Sequence, residues 1–102
     1  MAYIALDNCL SQGHDEAHSW PQTLPKSGLS TKTKVNGHYV VLNGSTKYAQ
    51  HSKGNTVHLE ETRIVTSGSS KAKIENYSIA RIGDSLGDDD TIAEGYSKVN
   101  VG

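Results

Sequence analysis

Polar and apolar residues alternate with a period of two at three places along the chain, and nowhere does an apolar stripe recur at helical spacing. Lys32-Thr33-Lys34-Val35, Lys71-Ala72-Lys73-Ile74 and Lys98-Val99-Asn100-Val101 each set polar residues against small or apolar ones. Side chains on a strand point alternately to two faces, so each run reads as a half-buried strand. The first run meets Asn36-Gly37, the strongest short hairpin signal in the sequence, and a returning strand from Tyr39 to Leu42. The second follows a Ser67-Gly68-Ser69 turn and passes through Glu75-Asn76-Tyr77 into a strand from Ile79 to Ile82, which Gly83-Asp84 breaks. The third, after Glu94-Gly95-Tyr96-Ser97, is a truncated copy at the C-terminus. The pattern predicts a quasi-repeat of three short-strand units.

The remaining segments are less regular. Ala2 to Leu6 is a short apolar run suited to an edge strand, and the stretch from Gln12 to Pro21 reads as loop. Thr46 to Glu61 connects the two full units and contains a turn at Ser52-Lys53-Gly54-Asn55. Lys32, Lys34, Lys71, Lys73 and Lys98 share one face of their strands and read as its solvated side, where they also discourage edge-to-edge aggregation.

Composition narrows the picture. The chain has 102 residues, 34% of them hydrophobic, with one Trp and no Phe. This is one domain, residues 1–102, with a thin core set against a chain entropy of about 1 to 2 kcal/mol per residue. A single cysteine, Cys9, excludes an internal disulfide, which leaves a metal or a partner chain as the additional staple. A net charge of −1 without a basic cluster gives no electrostatic footprint for nucleic acid or an anionic membrane. Met1 to Leu10 has neither a cationic flank nor a long apolar run, so neither a signal peptide nor a transmembrane helix is expected.

Three units, each with one apolar face, bury those faces only by leaning together around a common axis. The expected fold is therefore all-β, a small cone-shaped monomer of short strands with pseudo-three-fold symmetry. Loops would gather at its narrow end and open strand edges at its base. Histidines supply the candidate chemistry. His14 and His18 lie four apart, but Glu16 does not follow the first histidine directly as a zinc-protease helix requires, and Gly13 and Pro21 leave no length for that helix. His51 and His58 flank the Ser52–Asn55 turn, so they either converge on a ligand or stand as solvated polar residues. Asp88-Asp89-Asp90 lacks the spacing of a calcium loop and reads as a solvated acidic run.

The spacing from Gly68 through Ser78-Ile79-Ala80-Arg81 to Ile82-Gly83-Asp84 resembles that of PAAR-repeat proteins, named for a Pro-Ala-Ala-Arg run before a Gly-Asp turn. Only the second half of that tetrad is kept. The likeness extends to Asp7-Asn8-Cys9, Gly13-His14, Thr91 to Gly95 and Val101-Gly102, nearly the whole chain. It implies one zinc ion per chain, held near the apex by three histidines and a cysteine from separate loops, with His14, His51 and His58 at matching places. The family's cysteine loop here reads Ser85-Leu86-Gly87-Asp88, so Asp88 stands where the thiolate would be. Either Asp88 replaces it, Cys9 supplies sulfur from the first loop, or the site is lost. Cys9 is the expected fourth ligand, because a thiolate gains more from zinc than a carboxylate that water solvates equally well.

The resemblance further implies a non-enzymatic role, as the tip that caps the trimeric β-helical spike of a contractile injection machine. One copy would sit on each trimer and touch the target outer membrane transiently during piercing. The phage tail baseplate, and so the virion, is the expected location, with a type VI secretion spike as the alternative. A zinc hydrolase would need an open coordination position and a general base. A free-standing zinc-binding module would need no spike partner. The repeats fill the chain, so no appended toxin domain is expected.

Overall fold

Three backbone segments meet at the centre of the molecule and close on one another. In the computed structural model, which describes residues 2–14 and 20–102, the amide of Ala5 donates to the carbonyl of Ala80, that of Ala80 to Val41, and that of Val41 to Ala5, each at 3.0 Å. Single antiparallel bridges flank this ring, Ile4 with Arg81, Leu6 with Val40, and Leu42 with Ile79. Ala5, Val41 and Ala80 are fully buried. Small or β-branched side chains are what such a crowded axis admits.

Each segment feeds a two-stranded antiparallel element. Among the described residues all regular structure is β, apart from one 3-10 turn at Glu60–Thr62. Strands β1 (Ala2–Ile4) and β10 (Tyr96–Val101) pair, as do β3 (Lys34–Val35) with β4 (His38–Tyr39), and β8 (Lys73–Ile74) with β9 (Tyr77–Ser78). Their registers correspond: Lys34 faces Tyr39, Lys73 faces Ser78, and Asn100 faces Tyr3. The returning strands expected at Tyr39 to Leu42 and Ile79 to Ile82 stop short, at Tyr39 and Ser78. Beyond those points each chain bridges two different neighbours in turn, so no continuous ladder forms. The connecting segment is more structured than its composition suggested. It holds β5 (Lys47–Tyr48), paired with β2 (Pro25–Ser27), and the hairpin of β6 (His51–Lys53) with β7 (Thr56–His58).

Alternation about the ring divides the core in two. Ala5, Val41 and Ala80 pack with Tyr48, Val65, Leu86 and Ile92. Their sequence neighbours Ile4, Leu6, Val40 and Leu42 pack with Cys9 and Val101, and against Val35, Ile74 and Val99. Lys32, Lys34, Lys71, Lys73 and Lys98 are exposed, while Thr33, Val35, Ala72, Ile74 and Val99 are half-buried. The molecule measures 38 × 24 × 23 Å along its principal axes, one long and two nearly equal.

A turn follows each ring segment, and a side chain caps it. Cys9 Sγ accepts from the Leu6 amide at 3.3 Å, Thr46 Oγ1 from Leu42 at 2.8 Å, and Asp84 Oδ2 from Arg81 at 2.7 Å. The return bonds, amide to carbonyl, run from Cys9 to Leu6, Thr46 to Leu42, and Asp84 to Arg81, each at 3.0 Å. Three different residue types thus satisfy the equivalent amide at the exit from the ring.

The hairpin turns differ in chemistry. Asn36 and Gly37 adopt φ of 53° and 81°, the paired positive values a two-residue hairpin needs. The other turn places Glu75 and Asn76 there, at 51° and 71°, a conformation costing a residue such as Glu about 1 to 2 kcal/mol. The Glu75 side chain offsets the cost. Its Oε1 accepts from the amide and hydroxyl of Thr31, both at 2.9 Å, and Oε2 from the Lys32 amide at 3.2 Å, tying the second unit to the first. These donors, the Thr31 amide foremost, hold the carboxyl at about 2, against an ordinary 4.5.

A depressed carboxyl stabilises the fold above its unfolded value and loses that contribution as pH falls through its folded value. Glu75→Gln should therefore lower stability at neutral pH, with the difference from wild type narrowing below pH 4.5 and closing near pH 2. Urea titrations across that range measure it, and a difference constant with pH would show that the charge plays no part.

Candidate metal centre

The hairpin of β6 and β7 sets His51 and His58 directly opposite one another, so their side chains leave the same face of the two strands. The first loop brings His14. Gly13 and His14 take positive φ of 92° and 73°, which turns both their amides onto Asp90 Oδ1, at 2.9 and 3.0 Å. The same oxygen accepts from the Thr91 amide at 2.8 Å. Asp90 thereby pins the first loop to the last, and the last loop also presents Asp88.

The ligand atoms of His14, His51, His58 and Asp88 all lie within 4.8 Å of one another. His14 Nε2 is 2.8 Å from His51 Nε2 and 3.1 Å from His58 Nδ1, and the latter two are 3.2 Å apart. Asp88 Oδ2 stands 3.4, 3.3 and 3.0 Å from His14, His51 and His58 respectively. These six separations are the edges of a slightly compressed tetrahedron. Metal–ligand bonds of about 2.0 to 2.1 Å imply edges near 3.3 Å, so three imidazoles and a carboxylate suit a four-coordinate ion. This group could hold a metal ion.

The surroundings fix the ligands' chemistry. His51 Nδ1 sits 2.9 Å from the Pro21 carbonyl oxygen, which can only accept. Nδ1 therefore carries the proton, and Nε2 turns its lone pair inward. Burial favours the neutral ring and outweighs the carbonyl's opposing pull, so the His51 pKa falls below its ordinary 6.5. Asp90 is driven the other way by burial, but the amides of His14, Thr91 and Gly13, with the Arg63 cation, more than compensate and keep its pKa below 3.8. Trp20 roofs the site: its ring stacks on His58 at 4.4 Å and 9°, with its centroid 4.8 Å from those of both His14 and His51.

Of the four ligands expected from the sequence, the structure brings together His14, His51 and His58, and not Cys9. Cys9 lies in the core with Ile4, Leu6, Val40, Leu42 and Val101. Its sulfur is occupied as the acceptor for the Leu6 amide, and burial pushes the thiol's pKa up, away from the thiolate a metal needs. Asp88 stands with the three histidines instead. The acidic run is correspondingly not a solvated loop, since the Asp88 side chain is 3% exposed and Asp90 is fully buried. Only Asp89 among the three is exposed. His18 lies outside the described residues. His38 pairs instead with Asp7, Nδ1 to Oδ1 at 2.6 Å.

Sequence reasoning missed Trp20, Asp90 and Arg63. The Arg63 side chain is wholly buried, with Nη1 2.6 Å from Asp88 Oδ2 and 3.2 Å from Asp90 Oδ2. The Trp20-Pro21 step after a histidine-bearing loop was the one available signal, since an aromatic ring beside clustered imidazoles packs readily on their faces.

Comparison of the sequence with protein-family models and with curated proteins gives no match.

Zinc titration against a competing chelator tests the ligand set. Asp88→Ala and His51→Ala should each weaken binding by more than about 100-fold, beyond the 10- to 100-fold typical of outer-shell partners. Cys9→Ala and His38→Ala should leave affinity unchanged, and a large loss in Cys9→Ala would reverse the assignment.

Proposed function

We propose that this chain is a PAAR-like spike tip, a pseudo-three-fold cone that caps the trimeric β-helical spike of a phage tail baseplate as a single copy and sharpens it for piercing an outer membrane. The observation carrying this reading is the closed hydrogen-bond ring of Ala5, Ala80 and Val41. A single chain organised cyclically in three offers three similar surfaces to three identical strand ends.

The three strand pairs with corresponding register supply those surfaces. Among the described residues β3 and β8 each pair with one partner only, and their outer edges carry backbone donors and acceptors for added strands, whereas Tyr39 of β4 and Ser78 of β9 already bond Asp7 and Asn43. The long axis with two nearly equal short ones suits a tip. The metal in this reading is zinc, one per chain, which accepts tetrahedral nitrogen and oxygen ligands without redox chemistry. Four protein side chains would be a complete set for a tetrahedral ion, the pattern of a structural rather than a catalytic zinc centre, so this reading assigns the centre no catalysis. A bound ion cross-links the first loop, the β6–β7 hairpin and the last loop, the regions a tip under load must keep together.

A type VI secretion spike presents the same trimeric end, and the identity of the spike that co-purifies separates the two machines. Native mass spectrometry of the complex is expected to give one tip per spike trimer. Backbone pairing and apolar contact dominate such a base, so binding should persist from roughly 0.1 to 1 M salt. Three tips per trimer would contradict the capping geometry. No complex with any trimeric spike would leave a free-standing zinc-binding module in its place.

A further inference from the structure

Arg63 lies at the centre of the polar interior, and its hydrogen bonds are oversubscribed at one atom. Nε donates to the Ala49 carbonyl at 2.8 Å, and Nη2 to Thr23 Oγ1 at 2.9 Å and Ser11 Oγ at 3.3 Å. Nη1 has three acceptors around it: Asp88 Oδ2 at 2.6 Å, His51 Nε2 at 2.7 Å and Asp90 Oδ2 at 3.2 Å. A guanidinium carries five N–H groups, two of them on Nη1. Six acceptors therefore compete for five hydrogens, and the surplus falls on the nitrogen beside the ligand cluster.

The surplus acceptor is identifiable. The two carboxylates are charged and buried, and taking the guanidinium countercharge from either is far more costly than releasing a neutral imidazole. Asp88 Oδ2 and His51 Nε2 both belong to the ligand cluster, but a carboxylate oxygen keeps a second lone pair for Nη1, whereas the imidazole nitrogen has only one to give. Once an ion engages that lone pair, five acceptors remain for five N–H groups: Ala49, Asp88, Asp90, Ser11 and Thr23.

From this count we propose that Arg63 is a resident cation that keeps the ligand cluster assembled before the metal arrives. It holds Asp88, Asp90 and His51 together in the metal-free chain, then yields only His51 to the incoming ion while remaining on both carboxylates. The inference rests on the reading of the cluster as a metal centre. It assigns Arg63 a positioning role among the carboxylates and the imidazole that its guanidinium touches. One guanidinium against two carboxylates leaves a net charge of −1, which still favours a cation. The metal-free chain is therefore folded and ready to load, and zinc binding does not have to assemble the loops.

The test compares chelator-stripped wild type, Arg63→Met and Arg63→Lys, using thermal midpoints and the emission of Trp20, the single tryptophan, which stacks on His58. Stripped wild type should keep its far-ultraviolet circular dichroism and a blue-shifted Trp20 emission, both unchanged when zinc is added. Stripped Arg63→Met should melt at least about 10 °C lower than stripped wild type, as loss of one partner in a buried ion pair predicts for a chain of this size, and its Trp20 emission should shift to the red. If Arg63→Met does not fold even with zinc, Arg63→Lys decides. One ammonium cannot reach all five acceptors, so the stripped lysine variant should show the same red shift, reversed by zinc. Equal midpoints and emission in stripped wild type and stripped Arg63→Lys would overturn the proposal, as would unfolding of stripped wild type. Calorimetric titration of stripped wild type with zinc tests the underlying reading separately: no binding defeats the metal centre and the handover of His51, while the metal-free comparison still decides whether Arg63 holds the cluster.

Discussion

The three hydrogen bonds that join Ala5, Ala80 and Val41 fix the architecture. Each contributes only about 1 kcal/mol net, but a buried amide left without a partner costs about 1 to 3 kcal/mol. The ring therefore closes completely or the segments separate. Closure brings together residues far apart in sequence, and it does so where all three side chains are fully buried. Strand alternation then sends the flanking side chains to two separate cores. One core seats the paired strands. The other, through Tyr48, Val65, Leu86 and Ile92, underlies the segments that carry the ligand loops.

A chain with few large apolar residues needs a second source of order, and here it is a polar interior. Arg63, Asp88 and Asp90 are nearly or fully buried, and every charge has a partner. Such clusters contribute less net stability than apolar packing, but removing one member is severe because it strands the others. They also impose geometry. Asp90 gathers three amides on one oxygen, which determines where His14 points. The site is thus shaped by fixed backbone donors and one guanidinium as much as by the ligands themselves.

Local patterns are legible in the sequence and long-range ones are not. Period-two alternation locates β3, β8 and β10 correctly, because burial on one face leaves a trace in each residue. The Asn36-Gly37 turn is readable from its conformational demands. Strand ends at Tyr39 and Ser78 are not, since bridges to two different neighbours leave no alternation of their own. His51 and His58 can be placed near one another from the turn between them. Cys9 misleads because the affinity of a thiolate for zinc says nothing of where the sulfur lies: it caps a turn, as Thr46 and Asp84 do elsewhere with oxygen. Arg63 is invisible for a related reason. Nothing in Glu60-Glu61-Thr62-Arg63 marks it, and its partners lie 12 to 52 residues away, reached by contact rather than by motif.

The dependence of the whole fold on the central ring is tested most directly by native-state hydrogen exchange at three amides. Ala5, Val41 and Ala80 should exchange last and together, through global unfolding alone, with the strand-pair and ligand-loop amides exchanging earlier through local openings. If any one of the three exchanges markedly faster than the other two, that segment opens independently, and the ring is not the constraint on which the structure rests.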